Sequence, residues 1–202
     1  MNQHSIEPED NDRGPSGGPS RRRSVIASKT VLRQFTYDKA IQSARALLVL
    51  IGPACERAEI AGSLRRHRPV VHDIDVVCIP KYNEVQVDLF GGTEKISQVD
   101  MVLKDLVTGG DKIKKGTIDG IPFDLYIASP ETWATLLLIR TGSKQHNLLL
   151  ATRAQRLGYT LRADGTGVVD LVTERRIAWE SEKDIFTALR LEYLPPEKRE
   201  VP

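Results

Sequence analysis

The 202-residue chain has ordinary bulk properties: 40% of it is hydrophobic, and 29 Lys and Arg against 27 Asp and Glu leave a net charge of +2. This length allows one medium domain or two small ones, and so small a charge does not by itself mark a nucleic-acid binder. No apolar run approaches the ~20 residues needed to span a bilayer. The polar, acidic start excludes a secretory signal, and Cys55 and Cys78, the second of them inside an apolar run, argue against a disulfide framework. The expectation is an intracellular protein that is neither secreted nor membrane-bound.

Residues 1–28 are rich in Gly, Pro, Ser, Asn and charge with no apolar period, which predicts a disordered tail. Its Arg21-Arg22-Arg23 run reads either as a polyanion contact or as solvated surface. Apolar residues at 37, 40, 41, 44, 47, 48 and 51 predict an amphipathic helix over 37–51, stopped by Gly52-Pro53. A short alternating run over 57–61 then leads into Gly62-Ser63 and the basic segment Arg65-Arg66-His67-Arg68. A strand, Gly-Ser and a helical turn together present free backbone N–H groups, which favour a phosphate. Ser63 either caps that turn or offers its hydroxyl to a phosphate oxygen, and Arg66 lies further along the same side.

The run Asp73-Ile74-Asp75-Val76-Val77-Cys78-Ile79 reads as a buried strand whose alternation puts Asp73 and Asp75 on one face. Side-by-side carboxylates repel, and a hard divalent cation relieves the repulsion. Magnesium held by one or two carboxylates plus substrate phosphates is the usual arrangement for phosphoryl and nucleotidyl transfer.

After Pro80 the pattern predicts a loop over 82–84, an alternating run (Val85, Val87, Leu89), a turn at Gly91-Gly92 and a helix around 96–106 ended by Gly109-Gly110. Asp119-Gly120 is a strong hairpin signal, and on the returning strand Asp124 stands alone among apolar residues. A carboxylate there needs a cation or a donor beside it, so Asp124 is the candidate third member of the acidic site, the alternative being a hairpin aspartate satisfied by solvent. Helices follow over 132–140, with Ser129 as N-cap, and over 147–157, separated by Thr141-Gly142-Ser143. Asp164-Gly165 marks a hairpin within 159–169, Ser181 caps a last helix over 181–189, and Pro195-Pro196 ends regular structure.

Taken in order, these parts resemble the palm and thumb of a family X DNA polymerase, the DNA polymerase beta group. The resemblance is carried by Gly62-Ser63 with Arg65-Arg66, by Asp73-Ile74-Asp75, by Asp124, and by Thr141-Gly142-Ser143-Lys144-Gln145-His146-Asn147. It continues in Ser181-Glu182-Lys183-Asp184-Ile185-Phe186 and in Tyr193-Leu194-Pro195-Pro196-Glu197-Lys198-Arg199. It implies an α+β fold: a nucleotidyltransferase palm with its N-terminal helix over 29–140, a mixed sheet flanked by helices, then a small α+β thumb over 141–202. It further implies a template-directed polymerase adding dNMPs to a primer 3′-hydroxyl, at gaps or in short extensions. Asp73 and Asp75 would hold both Mg²⁺ ions, with Mn²⁺ as a substitute. Asp124 would hold the catalytic one and help remove the hydroxyl proton. Gly62, Ser63 and Arg66 would cradle the β- and γ-phosphates of the dNTP, Gly142 would lie under the sugar, and Asn147 would reach the base.

Three departures from the family pattern matter. His72 stands where the family has a glycine close to the triphosphate, and would crowd the site, donate to it, or turn to solvent. Ile139-Arg140 replaces an aromatic pair under the sugar, which points to weak exclusion of ribonucleotides. Pro122 replaces an arginine that contacts the primer strand. The stretch 29–58 is too short for the lyase domain and paired helix-hairpin-helix units of larger relatives, so grip on primer-template or gapped DNA falls to Lys112, Lys114, Lys115, Arg153 and Arg156, whose bland reading is solvated surface. A monomer is expected. The alternatives are a template-independent or RNA-directed nucleotidyltransferase, and an inactive nucleic-acid-binding module.

Overall fold

A computed structural model describes residues 33–86 and 92–200. The tail over 1–28 with Arg21-Arg22-Arg23, and Val87, Leu89 and Gly91 of the expected alternating run, lie outside the described residues. Phe35–Thr36 (β1) leads into the helix Tyr37–Ile51 (α1), whose N-cap Thr36 accepts from the Lys39 N–H at 3.4 Å. Ala40, Ala44, Leu47 and Ile51 recur at helical spacing and are buried. After a 3₁₀ turn come Cys55–Ile60 (β2), the single helical turn Gly62–Arg65 (α2), Val70–Val71 (β3) and Ile74–Pro80 (β4).

The next segment differs from expectation. Residues 82–84 are not a loop: Tyr82–Gln86 (β5) pairs antiparallel with Thr93–Ser97 (β6). Because that pairing takes up Ile96 and Ser97, the helix expected from 96 begins only at Gln98, as Gln98–Leu103 (α3). Gly109 does not end a helix. It closes the short edge strand Val107–Gly109 (β7), where two β-branched residues favour extended backbone. Ile113–Ile118 (β8) and Ile121–Ile127 (β9) form the hairpin foreseen at Asp119-Gly120, with positive φ at both turn residues as a type I′ turn requires. The Ser43 hydroxyl donates to Asp119 at 2.7 Å and ties α1 to this turn.

Trp133–Thr141 (α4) and Lys144–Arg156 (α5) come next. The Ser129 side chain does not cap α4; instead the Ser129 N–H donates to the Thr132 hydroxyl at 2.8 Å, with Thr132 at the N-cap position. Helix α5 starts earlier than expected, because Ser143 caps it by accepting from the His146 N–H at 3.1 Å. Tyr159–Arg162 (β10), Gly167–Asp170 (β11) and Arg176–Ala178 (β12) make an antiparallel sheet, then Glu182–Ala188 (α6) follows its cap Ser181. Strand β12 was missed because three residues leave too little period to read. Pro195-Pro196 does not end regular structure, since a 3₁₀ turn spans Pro196–Lys198. No helix among the described residues is long and apolar enough to cross a membrane.

The architecture is mixed α+β. A five-stranded sheet runs β2-β4-β9-β8-β7, parallel only at β4–β9. One face, bearing Ile74, Val76, Phe123 and Leu125, is packed by α1 and α3 residues such as Leu47 and Leu103. On the other face Val77, Ile79 and Tyr126 pack against Trp133, Ala134 and Leu137 of α4. A third core around Leu138, Leu150, Val168, Ile185 and Phe186 holds α5, the second sheet and α6 together.

One polar cluster fastens α2 to this C-terminal part. Arg65 donates to both Glu182 oxygens at 2.7 and 3.2 Å and to the Thr141 hydroxyl at 2.8 Å, while Arg199 donates to the same two oxygens at 2.9 and 3.2 Å and to the Leu194 carbonyl at 2.8 Å. Arg199 is 0% exposed, and its guanidinium lies beside the Phe186–Tyr193 ring pair, 5.5 and 5.6 Å from their centres. Burial opposes the charge on Glu182, but the two guanidiniums outweigh it and hold the carboxyl below its usual range. Removing one partner of a buried ion pair strands the other, so Glu182→Ala should cost about 3–5 kcal/mol in urea unfolding. Glu182→Gln, whose amide oxygen can still accept, should cost less. A loss below about 1 kcal/mol for the alanine variant would place this cluster among surface pairs.

Candidate active site

The sheet register sets the site. Across the parallel pair β4–β9, Asp75 stands opposite Asp124, and across the antiparallel pair β8–β9, Lys115 stands opposite Asp124. Side chains of laterally paired residues share a face, so Asp75, Asp124 and Lys115 lie in a row on the face that α4 covers further along at Val77 and Tyr126. Asp73 lies just before β4, in an exposed bend rather than in the strand, so its approach to Asp75 is not the strict strand alternation expected.

The charges on this row interact. Burial first, then Asp73 and Asp124, push the Asp75 carboxyl up to about 7. Desolvation and the charge of Asp124 raise Asp73 as well, with His72 and Lys115 opposing. Lys115 grips Asp124 through both oxygens, at 2.9 and 2.8 Å, and the Tyr126 hydroxyl donates to Asp124 at 3.3 Å and also interacts with Asp75. Burial and the two carboxylates hold the Tyr126 hydroxyl above its ordinary pKa, so it stays a donor. Among the described residues no three His, Cys, Asp or Glu side chains are gathered closely enough to hold a metal ion together. The donor type nevertheless suits a hard cation, since Asp75 and Asp124, paired in the register, and Asp73, close enough to raise Asp75, offer carboxylate oxygens.

Gly62 adjoins this row. It has φ +59, and a Cβ there would collide with the Asp75 carboxylate, so only glycine lets α2 approach the acidic strand so closely. The N-cap position of α2 is Ala61, and the Ser63 hydroxyl does not cap the turn. Arg66, 13% exposed, donates from Nη1 to the Thr141 carbonyl and from Nε to Glu200, each at 2.5 Å. His72 is exposed.

The segment Thr141-Gly142-Ser143 meets α2 through the Thr141 hydroxyl and carbonyl, which accept from Arg65 and Arg66. A Cβ on Gly142 would lie 2.5 Å from Asn147 Oδ1 and 2.7 Å from His146 Nδ1, so a side chain is sterically excluded there. Asn147 donates to the Ile139 carbonyl at 2.7 Å, leaving its buried Oδ1 without a hydrogen bond. Arg140 stacks on Tyr126, with Cζ 4.2 Å from the ring centre, and its buried Nε also lacks an acceptor. Sequence reasoning overlooked Tyr126 as a partner of the acids, although a tyrosine two residues beyond Asp124 on one strand necessarily shares its face.

The basic residues considered for DNA divide. Lys112 and Arg156 are exposed, and Arg153 donates to the Leu189 carbonyl at 3.0 Å from a partly covered position. Lys114 is buried and ion-paired with Asp100, so it belongs to the fold and not to a DNA surface. Lys115 is 57% exposed but committed to Asp124.

Residues 136–200, about a third of the chain, match the family described as the DNA polymerase beta thumb. No curated protein matches the chain. The matched segment runs from α4 through the Glu182–Arg199 cluster and supports a family X polymerase-like protein with a mixed α+β fold.

His146, within the matched segment, is 2% exposed and packs against Phe186 with ring centres 5.8 Å apart. It adjoins Asn147 without a well-formed hydrogen bond. Burial first, then Arg199, hold its pKa down at about 4 against an ordinary 6.5. Between these values the unfolded chain takes up the proton and the folded chain does not, so His146 costs nothing above pH 6.5 and lowers stability as the pH falls from 6.5 to about 4. Measured by urea unfolding at pH 7 and pH 4, the native chain should lose about 2–3 kcal/mol more than His146→Phe over that interval. Equal losses would mean that the ring titrates as in water.

Proposed function

We propose that this polymerase-beta-like chain is a minimal, template-directed DNA polymerase that adds dNMPs to a primer 3′-hydroxyl by the two-metal scheme, filling gaps or making short extensions. The single observation that carries the reading is the row Asp75–Asp124 fixed by strand register, with Gly62 packed directly against Asp75. The thumb match over 136–200 supports DNA as the partner.

In the reaction the 3′-oxygen forms a bond to the α-phosphorus of the dNTP, the bridging P–O bond breaks, and pyrophosphate leaves. Bound Mg²⁺, or Mn²⁺ in its place, would lower the pKa of the attacking hydroxyl and neutralise charge on the triphosphate. Asp73, Asp75 and Asp124 are the residues that would hold it. Asp124, which accepts from Tyr126 at 3.3 Å, would receive the hydroxyl proton. Arg66 and Ser63 at α2 would bind the β- and γ-phosphates, and Arg66 would oppose the charge growing on the leaving pyrophosphate. Asn147, held by its bond to the Ile139 carbonyl, would reach the nucleotide base. Lys112, Arg153 and Arg156 remain as contacts to DNA phosphates, which makes binding steeply salt-dependent.

Primer extension on gapped DNA with Mg²⁺ should show incorporation that follows the template base, and Asp75→Ala or Asp124→Ala should lower it at least about a hundredfold. Equal use of all four nucleotides opposite every template base would instead favour template-independent transfer.

Arg140 favours one specific variation on this reading. Arg140, whose guanidinium stacks on Tyr126, stands at the sequence position where the resemblance calls for an aromatic side chain under the sugar, so that wall would be missing. A 2′-hydroxyl would then meet no aromatic clash. In competition assays, dNTP and rNTP should be incorporated with kcat/KM values within about tenfold, a difference of about 1.4 kcal/mol, and Arg140→Phe should widen the gap. Strong dNTP preference in the unaltered chain would defeat this part of the reading.

Asp75→Asn should raise the thermal midpoint measured in EDTA, because it removes the repulsion among the three acids. Mg²⁺ should raise the midpoint of the unaltered chain and not that of the variant. Identical Mg²⁺ responses would argue against these carboxylates as the ligands.

A further inference from the structure

The phosphate-binding arginine already carries an anion from its own chain. Glu200 Oε1 accepts from Arg66 Nε at 2.5 Å and lies 3.7 Å from Arg68 Nε. The placement is built in. Arg199, one residue earlier, is fully buried and bound through both its terminal nitrogens to Glu182, which in turn binds Arg65, the neighbour of Arg66. Consecutive residues on two segments are thus matched: Arg65 and Arg199 share Glu182, and Arg66 takes Glu200. With its backbone anchored at Arg199, Glu200 cannot drift far from Arg66, and its 33% exposure leaves it room to swing out. The second anchor of Arg66, the Thr141 carbonyl, holds the guanidinium in place without neutralising it. Nη2 of Arg66 and the guanidinium of Arg68, half-exposed, remain available for an incoming anion.

We infer that Glu200 is an intramolecular competitor for the triphosphate subsite: its carboxylate stands where a nucleotide phosphate oxygen would bind Arg66 and Arg68, and the triphosphate must displace it. This rests on the reading of Arg66 as a phosphate ligand given above. A carboxylate and a phosphate oxygen make the same charge-assisted bonds to a guanidinium, but the triphosphate carries more charge, so exchange favours the nucleotide while a lone anion competes poorly. Glu200 therefore lowers apparent affinity by the fraction of molecules in which it is seated, and screens the arginines from weaker anions.

The test is equilibrium binding of inorganic tripolyphosphate and of a non-hydrolysable dNTP analogue to the full chain, by calorimetry, for the unaltered protein, Glu200→Gln, Arg66→Ala and the double variant. Unchanged thermal midpoints verify that Glu200→Gln is folded, and Glu200→Ala serves as a second variant if it is not. Glu200→Gln should tighten both ligands roughly fivefold, the scale of a part-exposed ion pair. Arg66→Ala should weaken them, and Glu200→Gln should have no further effect in the Arg66→Ala background. If Arg66→Ala weakens binding while Glu200→Gln leaves it unchanged or weaker, the competitor role is overturned and the phosphate role of Arg66 stands. If Arg66→Ala binds both ligands like the unaltered chain, the phosphate role fails, and the competitor role fails with it.

Discussion

A single buried carboxylate, Glu182, takes two guanidiniums and through them fixes the distance between the two halves of the site. Arg65 closes the same helical turn that Gly62 and Ser63 open, while Arg199 belongs to the C-terminal segment. Neither arginine could be buried alone, because an unpaired charge in that environment costs several kcal/mol. The two positive charges make the ionised form of Glu182 the stable one, and the carboxylate makes the burial of Arg199 tolerable. The arrangement is a weak source of net stability relative to an apolar core, but it has a directional consequence that apolar packing lacks. Two bidentate pairs set the orientation of α2, and Arg66 follows from Arg65 by one step of backbone.

The second constraint is the parallel pairing of β4 with β9. A slip of one residue would place Ile74 or Val76 opposite Asp124 and send Asp75 into the apolar face beneath α1. Register is thus specified by the core on one face and expressed as chemistry on the other. The far end of the acidic face is covered by α4, which buries Val77 and packs against Tyr126, and the near end is left for Asp75, Asp124 and Lys115. This also accounts for the raised pKa of Asp75: a side chain at the edge of a covered face is desolvated and has two acids for neighbours.

Much of this was legible in the sequence, for physical reasons that differ by element. The α1 stripe, the Asp119-Gly120 turn and the Ser181 cap were readable because period, positive φ and capping are local properties. The acidic strand was readable because carboxylates within an apolar run are costly without a purpose. Within 82–110 the reading differs from the structure, since β6 pairs with β5, a non-local contact that takes up Ile96 and Ser97 before α3 begins. Lys114 shows the same limit for a single residue. A run of lysines reads as solvated surface, yet strand alternation turns Lys114 inward to Asp100 and Lys115 outward to Asp124. Glu200 gave no signal at all, because its meaning depends on Arg66, far away in sequence and brought near only by the Glu182 cluster.

The charges in the site are paired in a way that bears on how ligands bind. Asp124 is matched by Lys115, and Arg66 by Glu200, each pair part-exposed. A cation arriving at the acids must compete with an ammonium, and a triphosphate arriving at the arginines must compete with a carboxylate. The electrostatic gain on binding is then a difference between two sets of pairs rather than the full attraction of a bare site. A ligand bearing a single charge gains little from such an exchange. A magnesium triphosphate carries both signs, so it can take over both pairs at once, leaving Lys115 and Glu200 to solvent. On the proposed function, the same pairing that opposes simple ions would favour the ligand that presents metal and phosphates together, and that preference would be set in the unliganded protein.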